Sequence, residues 1–506
     1  MSQTRLSPPR RFLLRTHGCQ MNVHDSEKVA NLLCHAGLVA TSDAERADLT
    51  IINTCSIRDK AEHRLYSELG MLREWKAAQP GRVLGVGGCV AQQEGDALLR
   101  RFPYVDFVFG THNLRLVPTL VEAAARGNRW ARVDESRSLD RFDLPERHPD
   151  LDPVRPGRAY VTVMEGCDLF CSFCIVPRTR GREISRPAAS IVAEVETLAA
   201  AGVREITLLG QTVNAYGRRP IDRGSRAQRA QAAPDLVPFA RLLSRLAEIR
   251  GLARIRYTSP HPIFFDEALI RAHAELPNLC PHVHLPVQSG SDRVLDRMRR
   301  RYRREDYLRL VARLRSARPD LAITTDLIVG FPGETDADFE QTLSLVQEVG
   351  FTDSFSFKYS PRPGTTAARE PGPVDPSLAQ SRLERLQALQ FGLTQAAHRA
   401  RVGQRTEVLV EGPSRRGAGQ WSGRDPYHRI VNVAAGSRPA PPPGTLVAVR
   451  LVEATPHSLI GEMEADPDSS AVGASVESGK SEESGKNRAP AFEQRGQHWR
   501  SASPGA

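Results

Sequence analysis

From residue 11 onward, short apolar runs alternate with longer stretches in which apolar residues recur every third or fourth position. The runs at 11–16 (RFLLRT), 49–53 (LTIIN), 83–86 and 105–109 predict strands, and the stretches at 25–36, 60–76 and 93–100 predict amphipathic helices. Strand–helix alternation of this kind is the signature of a parallel α/β sheet. Residues 133–156 are rich in Asp, Arg and Pro with little period, which predicts a linker. A second strand series follows at 159–164, 205–209, 254–258, 282–285, 322–329 and 354–359. Six strand–helix repeats fit an open, partial (β/α)6 barrel better than a complete eight-stranded one. After a long helix to about residue 401 the period changes, and short strands at 407–410, 430–433 and 446–453 with Gly and Pro turns predict a small all-β module. Beyond Asp466 the chain is Ser, Gly, Glu, Lys and Pro with almost no apolar residues, a composition that predicts disorder. The expected organisation is an N-terminal parallel α/β domain at 11–132, a linker at 133–156, a partial barrel at 157–400, a small β-barrel at 401–465 and a tail at 466–506.

Composition adds limits to this picture. A chain of 506 residues with 40% hydrophobic content has room for about three cored domains. No run approaches the ~18 consecutive apolar residues of a membrane helix, and the N-terminus MSQTRLSPPRR has no apolar stretch behind its charges. Membrane insertion and secretion are not expected, and a cytoplasmic location is. The formal charge of +10, mainly from arginine, favours a polyanionic partner such as nucleic acid. Eight cysteines are too few for a disulfide scaffold in so long a chain, so they are expected as ligands or nucleophiles in a reducing compartment. Cys34 and Cys280 are expected to be packing thiols.

The remaining six cysteines fall into two groups. Cys167, Cys171 and Cys174, in MEGCDLFCSFC, are three and two residues apart directly after a predicted strand. Three thiolates can hold three irons of a four-iron cluster and leave the fourth iron open. Structural zinc is the alternative, but it wants four closed ligands and this loop offers no fourth. Cys19, Cys55 and Cys89, in HGCQ, NTCS and GGCV, each lie just after one of the first three predicted strands. Strand C-termini of a parallel sheet share one edge, and ligands bind there, so these thiols are expected to converge. Small or polar neighbours at Gly18, Asn53, Thr54, Gly87 and Gly88 leave room for a bulky cluster.

The stretches HGCQMNVHDSE, NTCSIRDKAE, GVGGCVAQ, VFGTHN, MEGCDLFCSFCIVPRTRGRE, LLGQTVNAYG, HLPVQSGSDRVL, DLIVGFPGET and YSPRPGT resemble, in order, the methylthiotransferase family of radical S-adenosylmethionine (SAM) enzymes, and most closely its tRNA-modifying MiaB branch. The resemblance runs from about residue 11 to 455, where the β-module is similar to a TRAM domain, an OB-like RNA-binding barrel. It implies two 4Fe–4S clusters, a SAM-binding one on Cys167, Cys171 and Cys174 and an auxiliary one on Cys19, Cys55 and Cys89. It implies reductive cleavage of SAM to a 5′-deoxyadenosyl radical, and methylthiolation of carbon 2 of N(6)-isopentenyl(dimethylallyl)adenosine at tRNA position 37, beside the anticodon. SAM would serve as both methyl donor and radical source. An electron donor such as a flavodoxin or ferredoxin and a sulfur or cluster delivery system are implied as partners. Threonylcarbamoyl-adenosine in tRNA or an aspartate of a ribosomal protein are alternative targets, and a non-catalytic, zinc-containing RNA-binding protein is the alternative of another class.

By position on the later barrel strands and by the resemblance, Gln211, Asn214, Ser259, His284, Gln288, Asp326 and Gly330 are expected to bind SAM or the nucleotide, with His261 nearby. The glycines of DLIVGFPGE lack the Gly-Lys-Ser/Thr ending of a phosphate loop, so a close backbone approach to the adenine of SAM is expected there instead. Arg178 and Arg180, with Arg182 and Arg186, follow the cysteine loop, and the run 297–304 (RMRRRYRR) includes Arg299 and Arg301. These, with Arg424 and Arg429 among Arg415, Arg416, Trp421, Tyr427 and His428 of the β-module, are the candidate tRNA contacts.

Overall fold

The computed structural model describes residues 9–56, 59–136, 138–148, 151, 155–218, 235–414, 419–434 and 439–464. The expected tail at 466–506 lies outside the described residues, as do Arg415 and Arg416. Six strands, β1 (Arg11–His17), β2 (Val39–Ala40), β3 (Leu49–Thr54), β4 (Val83–Gly88), β5 (Phe107–Phe109) and β6 (Trp130–Arg132), form one sheet in the order β2-β1-β3-β4-β5-β6. Every pairing in it is parallel. All residues of β3 are buried, because helices cover both faces: Ile52 packs with Leu65, Leu69 and Trp75 on one side, and Ile51 with Val29, Leu33 and Leu120 on the other. The edge strands β2 and β6 expose most of their residues and carry no apolar alternation, so the sequence pattern does not announce them. The first helix starts at Gln20, earlier than its apolar period suggests, because its opening turns bury the polar residues Asn22, His24, Asp25 and Ser26. The helix expected at 93–100 is two short ones, Cys89–Glu94 and Asp96–Arg101, divided at Gly95.

The second series comprises β7 (Arg158–Thr162), β8 (Met164–Glu165), β9 (Ile184–Ser185), β10 (Glu205–Leu209), β11 (Arg254–Tyr257), β12 (His282–His284), β13 (Ala322–Val329) and β14 (Asp353–Lys358). The parallel triplets β7-β10-β11 and β12-β13-β14 meet through a parallel bridge between Ile255 and Leu279, so six strands follow sequence order around a partial barrel. One core spans both halves, with Val161, Ile206, Ile255, Val283, Ile323 and Phe351 all fully buried. The strand expected at 159–164 breaks at Val163, and its continuation β8 pairs antiparallel with β9. That small ladder brackets the cysteine loop.

The long helix Pro376–Arg399, capped by Asp375, leads to β15 (Arg405–Pro413), β16 (Gln420–Arg424), β17 (Ile430–Ala434), β18 (Leu446–Ala454) and β19 (Leu459–Met463), a closed barrel in the order β15-β16-β17-β19-β18. Its position matters more than its shape. Arg256 of β11 donates to the carbonyls of Pro426 (2.9 Å) and Asp425 (2.7 Å) in the β16–β17 turn. In the same turn His428 stacks on His282 at the start of β12 (5.5 Å between centroids), and Tyr427 donates to Asp320 ahead of β13 (2.7 Å). Arg429 pairs with Asp353 of β14 (3.3 Å), and Arg158 of β7 with Glu411 (3.0 Å). The small barrel therefore floors the large one at the N-terminal ends of its strands. Among the described residues, no helix is long and apolar enough to cross a membrane.

Candidate active site

His17, Thr54 and Gly88 are register partners across β1, β3 and β4, so the chain leaves three neighbouring strands at one level of the sheet edge. Cys55 and Cys89 come next in sequence, and Cys19 after one glycine. Gly18 has φ of 135°, and a Cβ there would sit 2.2 Å from Cys55 Cβ. Only glycine permits that approach. The Cys55 amide donates to His17 O at 2.9 Å, and Cys19 Sγ donates to Asn22 Oδ1 at 3.1 Å. Asn22 is held in turn by Asn53, which donates to Asn22 O and to Ser26 Oγ, both at 2.9 Å. The Cys55 thiol shares hydrogen bonds with both other thiols, which raises its own pKa and lowers theirs. Together with the Arg180 guanidinium, it holds Cys19 at about 6 and Cys89 at about 7 against the opposing effect of burial.

The second group lies on the loop between β8 and β9, at the C-terminal end of the barrel. Gln211, expected to bind a cofactor, accepts a hydrogen bond from the Gly166 amide (2.5 Å) and fixes the start of this loop. Cys167 Sγ lies 3.1 Å from Thr212 Oγ1, and Arg300 Nη1 donates to Cys171 Sγ at 3.5 Å. Arg300 is itself buried, donating also to Pro286 O (2.9 Å) and Tyr302 Oη (3.1 Å). Burial pushes the Cys167 thiol up to about 11 and that of Cys174 to about 12, the latter aided by its neighbouring cysteines. Thiols so placed give up their protons when a cation arrives to replace them. Among the described residues, no three His, Cys, Asp or Glu side chains are arranged around a single metal-ion position.

The two groups are neighbours. Beyond Cys174 the chain runs through the helix Val176–Thr179 and crosses to the first domain, where Thr111 Oγ1 donates to Thr179 O at 2.5 Å. Glu165 ends β8 in an ion pair with Arg141 and a longer one, 3.8 Å, with Lys28 of the first helix. Burial alone would raise its pKa, but Arg141 and Lys28 hold it at about 2.

The other expected cofactor contacts divide. Asn214 is buried and pins the backbone of His261 from both sides, Nδ2 to His261 O (3.0 Å) and Oδ1 from His261 N (2.8 Å). The Gly330 amide donates to Glu334 Oε2 (2.7 Å), which fixes the turn after β13. Gln288 is buried, with its backbone bridging Asp326 and Ile328 (2.9 Å each). Ser259, with φ of 59°, His284 and Asp326 stay partly open. His284 and Asp326 pair at 3.3 Å on the same face as Phe355, whose ring stands edge-on to His284 and is 52% exposed. His261 is buried with Nε2 unpartnered, and burial depresses its pKa well below the usual imidazole range.

The expected tRNA contacts divide as well. Arg178, Arg299 and Arg301 are exposed beside the cysteine loop. Arg180 is buried in an ion pair with Asp25, and Arg186 is bound to Thr162 O (2.8 Å) and Glu194 (2.6 Å). Arg424 pairs with Glu411 (3.1 Å), and with Tyr427, His428 and Arg429 it belongs to the floor of the barrel. The basic and aromatic residues of that turn bind the neighbouring domain. Trp421 on β16 remains partly exposed. Sequence reasoning did not single out Asp25, Glu165, Thr212 or Arg300, which act on the thiols or their loops. An acidic residue two turns into a helix that starts at a cysteine was the available signal for Asp25.

Comparison with known proteins follows this division. Residues 161–346 match the radical SAM superfamily, 11–110 the uncharacterized protein family UPF0004, and 399–463 the TRAM domain. A protein of Geobacter metallireducens named tRNA-2-methylthio-N(6)-dimethylallyladenosine synthase is 51% identical over 450 residues, covering 89% of this chain and 97% of its own. One of the same name from Mycobacterium bovis is 46% identical over 463 residues, covering 90% and 88%. The solved structure of the radical SAM methyltransferase TsrM from Kitasatospora setae, with cobalamin and a 4Fe–4S cluster bound, shares the fold at a TM-score of 0.50 and 17% identity, covering 71% of this chain and 74% of that one.

Proposed function

This chain belongs to the tRNA-2-methylthio-N(6)-dimethylallyladenosine synthase family of radical SAM enzymes, and on that premise we propose that it methylthiolates carbon 2 of N(6)-isopentenyl(dimethylallyl)adenosine at tRNA position 37. The observation that carries the proposal is the meeting of two three-thiol sites, one at the edge of a parallel sheet and one at the open end of a partial barrel.

Both sites fit iron–sulfur clusters. Each gathers three thiols, and each has buried polar atoms without a protein partner: Ser172 Oγ and His261 Nε2 around the barrel loop, Thr54 Oγ1, Ser56 Oγ and Arg180 Nη1 around the sheet edge. Buried groups of this kind normally have partners, and a bound group would supply them. Cys167, Cys171 and Cys174 would hold the SAM-binding cluster, and Cys19, Cys55 and Cys89 the auxiliary one. When bound, these groups supply hydrogen abstraction from an unactivated carbon and the sulfur that replaces the hydrogen.

The chain's own residues do the rest. Arg300 places a positive charge on Cys171 and Thr212 a hydroxyl on Cys167, while Gln211 fixes the loop that carries both. Ser259, His284 and Asp326, which stay partly open, are assigned to binding and orienting SAM and the target base. Arg178, Arg299 and Arg301 contact phosphates of the anticodon stem-loop, and the small barrel keeps water from entering by the floor. Electrons come from a flavodoxin- or ferredoxin-type donor, and sulfur from a cluster delivery system, in the cytoplasm with the tRNA.

Mass spectrometry of tRNA nucleosides from cells lacking the gene tests the proposal. The expected result is loss of 2-methylthio-N(6)-isopentenyladenosine, accumulation of the unthiolated nucleoside, and reversal of both on complementation. An unchanged nucleoside would remove this substrate and direct the search to other tRNA adenosines and to ribosomal proteins. C171A is expected to abolish SAM cleavage, whereas C55A should retain cleavage and lose sulfur insertion.

A further inference from the structure

The segment that leaves the barrel's cysteine loop carries one cation into the other thiol site. Arg180 follows the helix Val176–Thr179, and its side chain is 3% exposed. Nη2 donates to Asp25 Oδ2 at 2.6 Å, and Asp25 is 1% exposed. Nη1 is buried and has no hydrogen-bond partner. After Asp25, the charges that act on this guanidinium are those of Cys89, Glu165 and Cys19.

A buried guanidinium loses several kcal/mol of hydration, which one carboxylate in good geometry only partly restores. The fork has five donors fixed in a plane, so a cation clamped along one edge presents its other edge in a set direction. Three thiolates of a cluster bring their negative charge into the same buried place. Hydrogen bonds to the sulfurs and net charge set the potential of such a cluster.

We propose that Arg180 is a positioning residue of the auxiliary site: clamped by Asp25, it turns Nη1 toward the sulfurs of the cluster held by Cys19, Cys55 and Cys89 and stabilises the reduced form of that cluster. The inference rests on the two-cluster proposal above. It also links the sites, because the cation belongs to the loop of the SAM-binding cluster: the Cys167 amide donates to Gly181 O at 3.2 Å, next in sequence to Arg180. An auxiliary cluster would thus feel the placement of the loop that holds the other.

The test is an EPR-monitored redox titration of the anaerobically reconstituted full chain, in which a signal altered by SAM reports the barrel cluster and a signal unaffected by SAM reports the auxiliary one. In R180Q the SAM-insensitive midpoint should move to more negative potential by the equivalent of tenfold or more in the reduction equilibrium, about 59 mV for one electron. Iron content and the SAM-sensitive midpoint should not change. R180K, which keeps the charge, should restore most of the shift. R180Q leaves Asp25 as a lone buried carboxylate, so R180Q/D25N serves as the charge-balanced second variant. Its shift should have the same sign, because the guanidinium outweighs Asp25 at both Cys19 and Cys89. An unmoved midpoint in iron-replete R180Q or R180Q/D25N overturns the role of Arg180 and leaves the two clusters standing. A wild-type chain with about four irons and only the SAM-sensitive signal overturns both.

Discussion

Gly18 shows how much of the auxiliary site depends on a missing atom. With its φ of 135° and its closeness to Cys55, G18A forces the first two turns apart. It should cost about 1–3 kcal/mol of stability and, more tellingly, about half of the chain's iron, measured together by thermal unfolding and iron analysis. Glu183 makes a different prediction. Burial, reinforced by Asp168, raises its pKa from 4.5 to about 8. A carboxyl raised on folding favours the native state fully below its unfolded pKa, and that contribution is lost as pH climbs through the folded value. Between about pH 5 and about pH 9 the wild type should therefore lose more thermal stability than E183Q. Cys19, Cys55, Cys89 and Cys167 were legible because each follows an apolar run that visibly ends, and Cys171 and Cys174 because of their spacing from Cys167. The pairing of Arg180 with Asp25 was not, since the partners are 155 residues apart and neither has a local signature.

Three of the missed strands, β2, β6 and β16, lack a continuous apolar face. β2 and β6 lie at sheet edges, where one side packs little. β16 lies inside a small barrel, where Gly423 faces the backbone of β15 so closely that a Cβ would come within 2.3 Å of Leu409 O. A strand whose inward position is glycine loses the alternation that would betray it. The six barrel strands kept theirs, and so were legible. The β16–β17 turn was hard to read for another reason: basic and aromatic residues suit a domain interface, which this turn makes, as well as they suit RNA. Arg256 anchors that turn and also pairs with the buried Glu205 at 3.1 Å. R256A should lower the urea midpoint by an amount equivalent to about 3 kcal/mol, whereas R178A, on the surface, should leave it unchanged.

For the molecule as a whole, tRNA affinity should fall with salt, and R178A, R299A and R301A should each reduce the slope of log K against log salt by about 1 while R424A does not. Filter binding over a salt series measures this. A chain ending at Met463, where the TRAM match stops, should keep wild-type methylthiolation. The floor beneath the barrel leaves it a single door. With the β16–β17 turn seated on the N-terminal ends of the strands, anything that binds inside the barrel must both enter and leave by the cysteine side.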